Sequence, residues 1–289
     1  MVGTQIIPQA AMPAPAVVCQ ESNRISTRGT LYRFAHAKVA PMRPRIPTAA
    51  RSNLAPTGKL RVGINQGNFL VVTKDPASGE LRGIAVDLAR ELGRRAGLPV
   101  EFITYASAGK MAEAVKTGAW DVAFLGAEPE RRNEILFTPA YLEIEATYLV
   151  PAGSPIRAIA EVDRDAVRIA VASKSAYDLF LSRTLQRARL VRAEGIDASF
   201  KLFVADKLEA LAGLRPRLVT DAQALPGSRI LEGRFTAIQQ AIGTPRGRDA
   251  GATYLRDFIE DVKASGLVAQ AMEKHGVRGV SVAPGAPVR

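Results

Sequence analysis

The stretch from Trp120 to Tyr141, WDVAFLGAEPERRNEILFTPAY, constrains the fold more than any other. Residues 120–125 are apolar apart from Asp121, and Gly126 ends the run. That is the pattern of a parallel strand covered on both faces before it releases the chain into a loop. In open α/β sheets ligands collect outside the carboxyl ends of such strands. Here that edge carries Glu128, Pro129, Glu130, Arg131 and Arg132. Pro129 suits the first turn of a short helix, so backbone N–H groups and a guanidinium could converge on one anion.

The flanking sequence supplies the rest of an α/β unit. LRVGIN, after Lys59, reads as a strand and QGNF as the loop beyond its carboxyl end; the turn 76–80 leads to a second extended segment. Over 83–97 the spacing predicts a helix, with Ile84, Leu88 and Leu92 on one face, Arg90, Glu91, Arg94 and Arg95 on the other, Gly97 as C-cap and Pro99 beyond it. VEFITY, 100–105, is the next strand, and a helix over about 110–116 precedes the Trp120 strand. Strand, helix, strand, helix, strand implies a parallel sheet with right-handed crossovers. Pro151, Gly153 and Pro155 then mark a boundary, after which 167–172 is a strand and SKSAYDLFLSRTLQR a helix with Ser173 or Ser175 as N-cap. Amphipathic helices are expected over 248–263 and 267–275.

Composition sets the N-terminal region apart from the rest of the chain. Residues 1–57 are rich in Pro, Ala, Ser and Arg without a hydrophobic period, and read as a disordered basic tail. Pro8, Pro13 and Pro15 interrupt the place where a signal peptide would need an apolar run, so export is not visible and a cytoplasmic location stays open. The tail could instead be a transit-like segment or follow from a start codon placed too far upstream. The net charge is +11, but seven basic residues and one acid, Glu21, precede Gly58, which leaves +5 for the rest. No helix carries a basic stripe with interleaved aromatics, so no nucleic-acid partner is expected. Cys19 is the lone cysteine, and His36 and His275 lie far apart, which excludes an internal disulfide and argues against a zinc site. No apolar run has the length of a membrane span, and no cofactor motif is present.

Gly126, Glu128, Arg131, Phe137 and Tyr141, with Gly83, Asp87, Leu88 and Ala89 upstream, resemble the register of the type II periplasmic solute-binding proteins of amino-acid ABC transporters, family 3. The resemblance covers roughly residues 58–277. It implies an α/β, two-lobed periplasmic-binding-protein-like II fold, each lobe a mostly parallel sheet flanked by helices. Lobe 1 would be residues 58–147 plus 238–289 and lobe 2 residues 148–237. Two hinge strands, near 146–151 and 236–242, would join them, with the Trp120 and Val167 strands in separate sheets. It further implies a periplasmic, monomeric protein that closes on a small ligand and docks on an ABC transporter permease, without metal or cofactor.

The same resemblance assigns the ligand contacts. Arg131 takes the family's place for the arginine that grips an α-carboxylate, next to Gly126. Asn68 falls in the register of an aromatic that covers the ligand, and Phe69 beside it is the nearest candidate for that cover, ordinary core being the other reading of Phe69. Ser175 and Ala176 fall where a hydroxyl and backbone N–H groups hold the carboxylate from the other lobe, with Lys174 at the family's glycine. The aspartate that binds the α-amino group falls on Leu214, followed by Arg215, and the family's threonine falls on Glu128. The expectation is therefore a zwitterion whose amine is read by Glu128; a dicarboxylate held by Arg131 and Arg215 is the other reading. Gln239 and Gln240 either reach the cleft or pair within the sheet. A binding protein and not an enzyme is expected, the alternatives being a dehydratase-like enzyme with Glu128 as general acid or a ligand-sensing module.

Overall fold

The structure is a computed structural model and describes residues 46–286. The tail expectation for residues 1–45 lies outside these. The remainder of that expected tail is not disordered: α1 spans Thr48–Leu54 and buries Ala50 and Leu54. Arg51 Nη1 donates to Ala96 O at 3.0 Å, and Asn53 Oδ1 accepts from the Gly251 N–H at 3.1 Å. A helix this short has little stability alone, so it is these tertiary partners that hold it. With only two buried positions four residues apart, its sequence carries almost no period.

The elements that follow are β1 Leu60–Asn65, the hairpin strands β2 Thr73–Lys74 and β3 Leu81–Arg82, α2 Ile84–Ala96, β4 Val100–Tyr105 and α3 Ala108–Glu113. Then come β5 Val122–Gly126, β6 Ile135–Phe137 and the nine-residue β7 Leu142–Val150. The second half holds β8 Arg168–Ala172, α4 Ala176–Thr184, β9 Arg189–Ala193, α5 Ile196–Ala205, β10 Ala210–Leu214, α6 Arg215–Gln223 and β11 Arg229–Ile230. The ten-residue β12 Thr236–Pro245, α7 Asp249–Ala264, α8 Leu267–Lys274 and β13 Val280–Val282 complete it. None of the described helices is long and apolar enough to cross a membrane.

Two parallel triads carry the architecture. β1 lies between β4 and β5, with Leu60 opposite Val100 and Val62 opposite Val122; β8 lies between β9 and β10. β5 and β10 are buried at every position, as strands covered on both faces must be. Two apolar cores go with them. One gathers Leu60, Val62, Leu88, Leu92, Leu255 and Phe258, and the other Tyr148, Ile169, Val171, Tyr177, Leu181 and Ile238. This is the two-lobed α/β arrangement.

The expectation of separate sheets needs correction. The long strands β7 and β12 pair antiparallel with one another, Ile238 opposite Ile144, while β12 also pairs with β5 and β7 with β10. The hydrogen-bond ladder therefore runs unbroken in the order β4-β1-β5-β12-β7-β10-β8-β9. The crossover strands do the joining: each satisfies its backbone on both edges, one edge towards a lobe and the other towards its fellow. β13 adds to β7 with Ile144 opposite Val280, which ties the segment after α8 to the crossover.

Candidate ligand-binding site

β5 ends at Gly126, and residues Pro129–Asn133 form a single 3₁₀ turn with Pro129 in its first turn. Proline needs no N–H partner there and holds the backbone in helical φ. The turn carries Arg131 inward until it is only 6% exposed. Its Nη1 donates to Gly126 O at 2.7 Å and its Nη2 to Lys174 O at 2.9 Å, so the guanidinium bridges the two triads. Glu128 and Glu130 both pair with Arg183 instead, and no acidic side chain among the described residues lies within ion-pair distance of Arg131. Burial pulls the Arg131 pKa down to about 10, against the pull of the Glu128 and Glu130 charges, and it stays a cation at neutral pH. A buried charge without a counter-ion is costly, and the arrangement suits an anion brought from outside.

Beside the guanidinium lies a cavity with about 590 Å³ of empty space, its open mouth included. Gly126, Arg131 and Asn68 line it from the first triad and its loops; Ser175, Ala176 and Leu214 line it from the second. Asn68 is turned inward by its own loop, where its Oδ1 accepts the Leu70 N–H at 3.3 Å. Phe69 consequently points out and is 41% exposed, which corrects the expected aromatic cover. Glu128 also lies outside the lining. Its carboxylate accepts from Arg183 Nη2 at 2.7 Å, and desolvation pushes its pKa up while that guanidinium pulls it down. Glu128 is thus placed neither to read a ligand amine nor to act as a general acid. Arg215 is turned away as well, its Nε donating to Glu145 at 2.7 Å and its Nη2 to Gly233 O.

Two lining residues, Asn65 and Tyr177, were not singled out from sequence. Of the two glutamines weighed, Gln239 donates to Glu143 at 3.0 Å, while Gln240 is the one that faces the cavity. Gln240 sits directly across the ladder from Gly126, and this register explains its placement beside the arginine. The strand alternation of β12 made one of the two glutamines face inward, but only the partner strand decides which.

The N-terminus of α4 closes the far side. Ser175 is its N-cap, with Oγ accepting the Asp178 N–H at 3.1 Å. The N–H groups of Ala176 and Tyr177 are left without an acceptor among the described residues, as the first turn of a helix requires, and they favour negative charge. Lys174 holds the left-handed conformation, φ 54°, that glycine adopts freely, which accounts for a glycine at this place in the resembling pattern. The Lys174 N–H donates to Asp178 at 2.7 Å, and that bond helps to hold the turn that aims Lys174 O at Arg131.

Gly126 makes the close approach possible. A Cβ added there would stand 2.9 Å from Ala176 Cβ and 3.0 Å from Ile238 Cγ2. Overpacking costs about 1–3 kcal/mol, so Gly126→Ala is expected to hold the lobes apart and weaken ligand binding roughly five- to a hundredfold in calorimetry. Wild-type affinity in the variant would mean that the two triads need not meet at this point.

Set against known proteins, residues 60–278 match the model for the bacterial extracellular solute-binding proteins, family 3, and the chain belongs to that family. The family is one of binding proteins. Among curated proteins no match was found. Solved structures resemble the fold closely. The solute receptor for L-cysteine of Neisseria gonorrhoeae is 22% identical, with TM-score 0.68, over 81% of this chain and 95% of that one. An amino acid ABC transporter substrate-binding protein from Streptococcus pneumoniae, bound to L-arginine, is 17% identical with TM-score 0.66, over 81% and 99%. An ancestral amino acid-binding protein, a precursor of cyclohexadienyl dehydratase, is 21% identical with TM-score 0.65, over 78% and 97%.

Proposed function

We propose that the protein captures a small carboxylate, an amino acid or a related organic acid, between its lobes and presents it to the permease of an ABC transporter in the periplasm. The observation that carries this reading is Arg131, a buried guanidinium beside a cavity with no acidic partner. A guanidinium offers paired donors matched to a carboxylate, and exclusion of water strengthens the match. The L-cysteine and L-arginine proteins among the similar structures have carboxylate ligands, which supports the same class here. In this reading lobe 1 comprises residues 58–147 and 238–289, lobe 2 comprises 148–237, and the monomer bends at β7 and β12.

The arrangement described is the closed one. Arg183 pairs with Glu128 and Glu130 across the cleft mouth, Lys174 with Glu113, and Lys110 with Glu194 at 3.9 Å. The exposed pairs Lys174–Glu113 and Lys110–Glu194 contribute about 0–1 kcal/mol each and are screened by salt, so they bias closure weakly and leave ligand to complete it. Small-angle scattering on the ligand-stripped chain, before and after saturation with a carboxylate that calorimetry shows to bind, tests the mechanism. The radius of gyration is expected to fall on saturation; an unchanged radius contradicts capture by closure.

A further inference from the structure

Resting on the carboxylate reading of the cleft, we infer that the ligand is a monocarboxylate without an ammonium group, bearing hydroxyl or carbonyl oxygen where an amino acid bears its amine. Charge is the first ground. Arg131 is the one charged side chain that lines the cavity among the described residues. Glu128 is held by Arg183, and none of the residues that line the cavity from the second lobe is acidic, Leu214 among them. A zwitterion's ammonium would enter a cavity whose one charged side chain among the described residues is a cation, and would meet no protein carboxylate there.

The hydrogen-bond inventory is the second ground, and it is independent of the first. Four of the cavity's side-chain oxygens already accept backbone N–H groups: Asn65 Oδ1 from Gly67 at 3.0 Å, Asn68 Oδ1 from Leu70, Ser107 Oγ from Lys110 at 3.3 Å and Ser175 Oγ from Asp178; the hydroxyls of Ser173 and Tyr177 are neutral as well. The carbonyls of Gly126 and Lys174 accept from Arg131. What these groups still offer a ligand is chiefly donors, the amide NH₂ of both asparagines and the hydroxyl hydrogens of Ser107 and Ser175. Gln240 Oε1 is buried without a partner, so it is an acceptor that a ligand hydrogen would satisfy. Such a neutral acceptor serves the single hydrogen of a hydroxyl. Neutral acceptors do not balance the positive charge of an ammonium as a carboxylate does.

Calorimetry at neutral pH on the full chain, unfolded and refolded to remove anything retained, tests this with matched triads. These are alanine, lactate and pyruvate, and leucine and phenylalanine each with its 2-hydroxy and 2-oxo acid. In at least one triad the hydroxy or oxo acid is expected to bind at least about tenfold tighter than the amino acid, the worth of one well-made polar contact. Gln240→Leu should weaken the hydroxy acid more than the oxo acid, and Leu214→Asp, by supplying an acidic acceptor, should shift the preference towards the amino acid. If the amino acid binds tightest and Arg131→Ala abolishes its binding, the inference is overturned and the carboxylate clamp stands. If no member of any triad binds, or binding is indifferent to Arg131→Ala, the clamp falls and the inference with it.

Discussion

Replacing Arg131 with alanine should weaken binding of a carboxylate by roughly thirty-fold to several thousand-fold, because truncating one partner of a buried charge pair costs about 2–5 kcal/mol. The magnitude follows from where the guanidinium sits. An exposed arginine would lose a contact worth a few tenths of a kcal/mol, whereas this one is buried, bridges Gly126 O and Lys174 O, and has no other anion to serve. In the variant those two carbonyls face a cavity open to water, so the fold is expected to survive while the anion loses its counter-charge. Calorimetry gives the affinity, and a cooperative thermal transition confirms the fold. Affinity within a factor of three of wild type in a folded variant would place the ligand elsewhere.

The second large effect concerns stability and lies at the other end of β5. Asp121 is fully buried. Its carboxylate accepts from the Arg61 backbone N–H at 3.1 Å, from Arg61 Nε and Nη2 at 2.9 Å each, and from Arg248 Nη1 at 2.7 Å. Arg248 also donates to Asn53 O at 2.9 Å, so one carboxylate ties together β1, β5, the start of α7 and the end of α1. Breaking a buried ion pair by removing one partner costs about 3–5 kcal/mol, since the other charge is stranded. The two arginine side chains keep 22% and 20% of their surface exposed, which lets water recover part of the loss and favours the lower end, about 3 kcal/mol. Asp121→Ala should therefore lower the urea midpoint markedly with the slope unchanged, while ligand affinity in the folded fraction is kept. A loss under about 1 kcal/mol would show that Arg61 and Arg248 find other partners.

The parallel triads were legible because their signal is local. The run before Gly126, the helix stripe of Ile84, Leu88 and Leu92, and the Gly97 cap, which does adopt the left-handed conformation at φ 61°, are all read within a few residues. Pro129 likewise foretold the turn that carries Arg131 inward. What stayed hidden depends on distant partners. Glu128 meets Arg183, 55 residues on; Gln240 faces the cavity because it is registered opposite Gly126; and α1 is held by residues of α2 and α7. A charged residue next to a predicted site reads as part of it unless the side chain that claims it from the other lobe is known.

A crystal structure of the protein bound to the tightest carboxylate from calorimetry tests the clamp most directly. The expected density places the ligand carboxylate within hydrogen-bond distance of the Arg131 guanidinium and of the α4 N–H groups at Ala176 and Tyr177, with the rest of the ligand against Leu214 and Gln240. A ligand seated elsewhere, with Arg131 still bonded only to Gly126 O and Lys174 O, would contradict it.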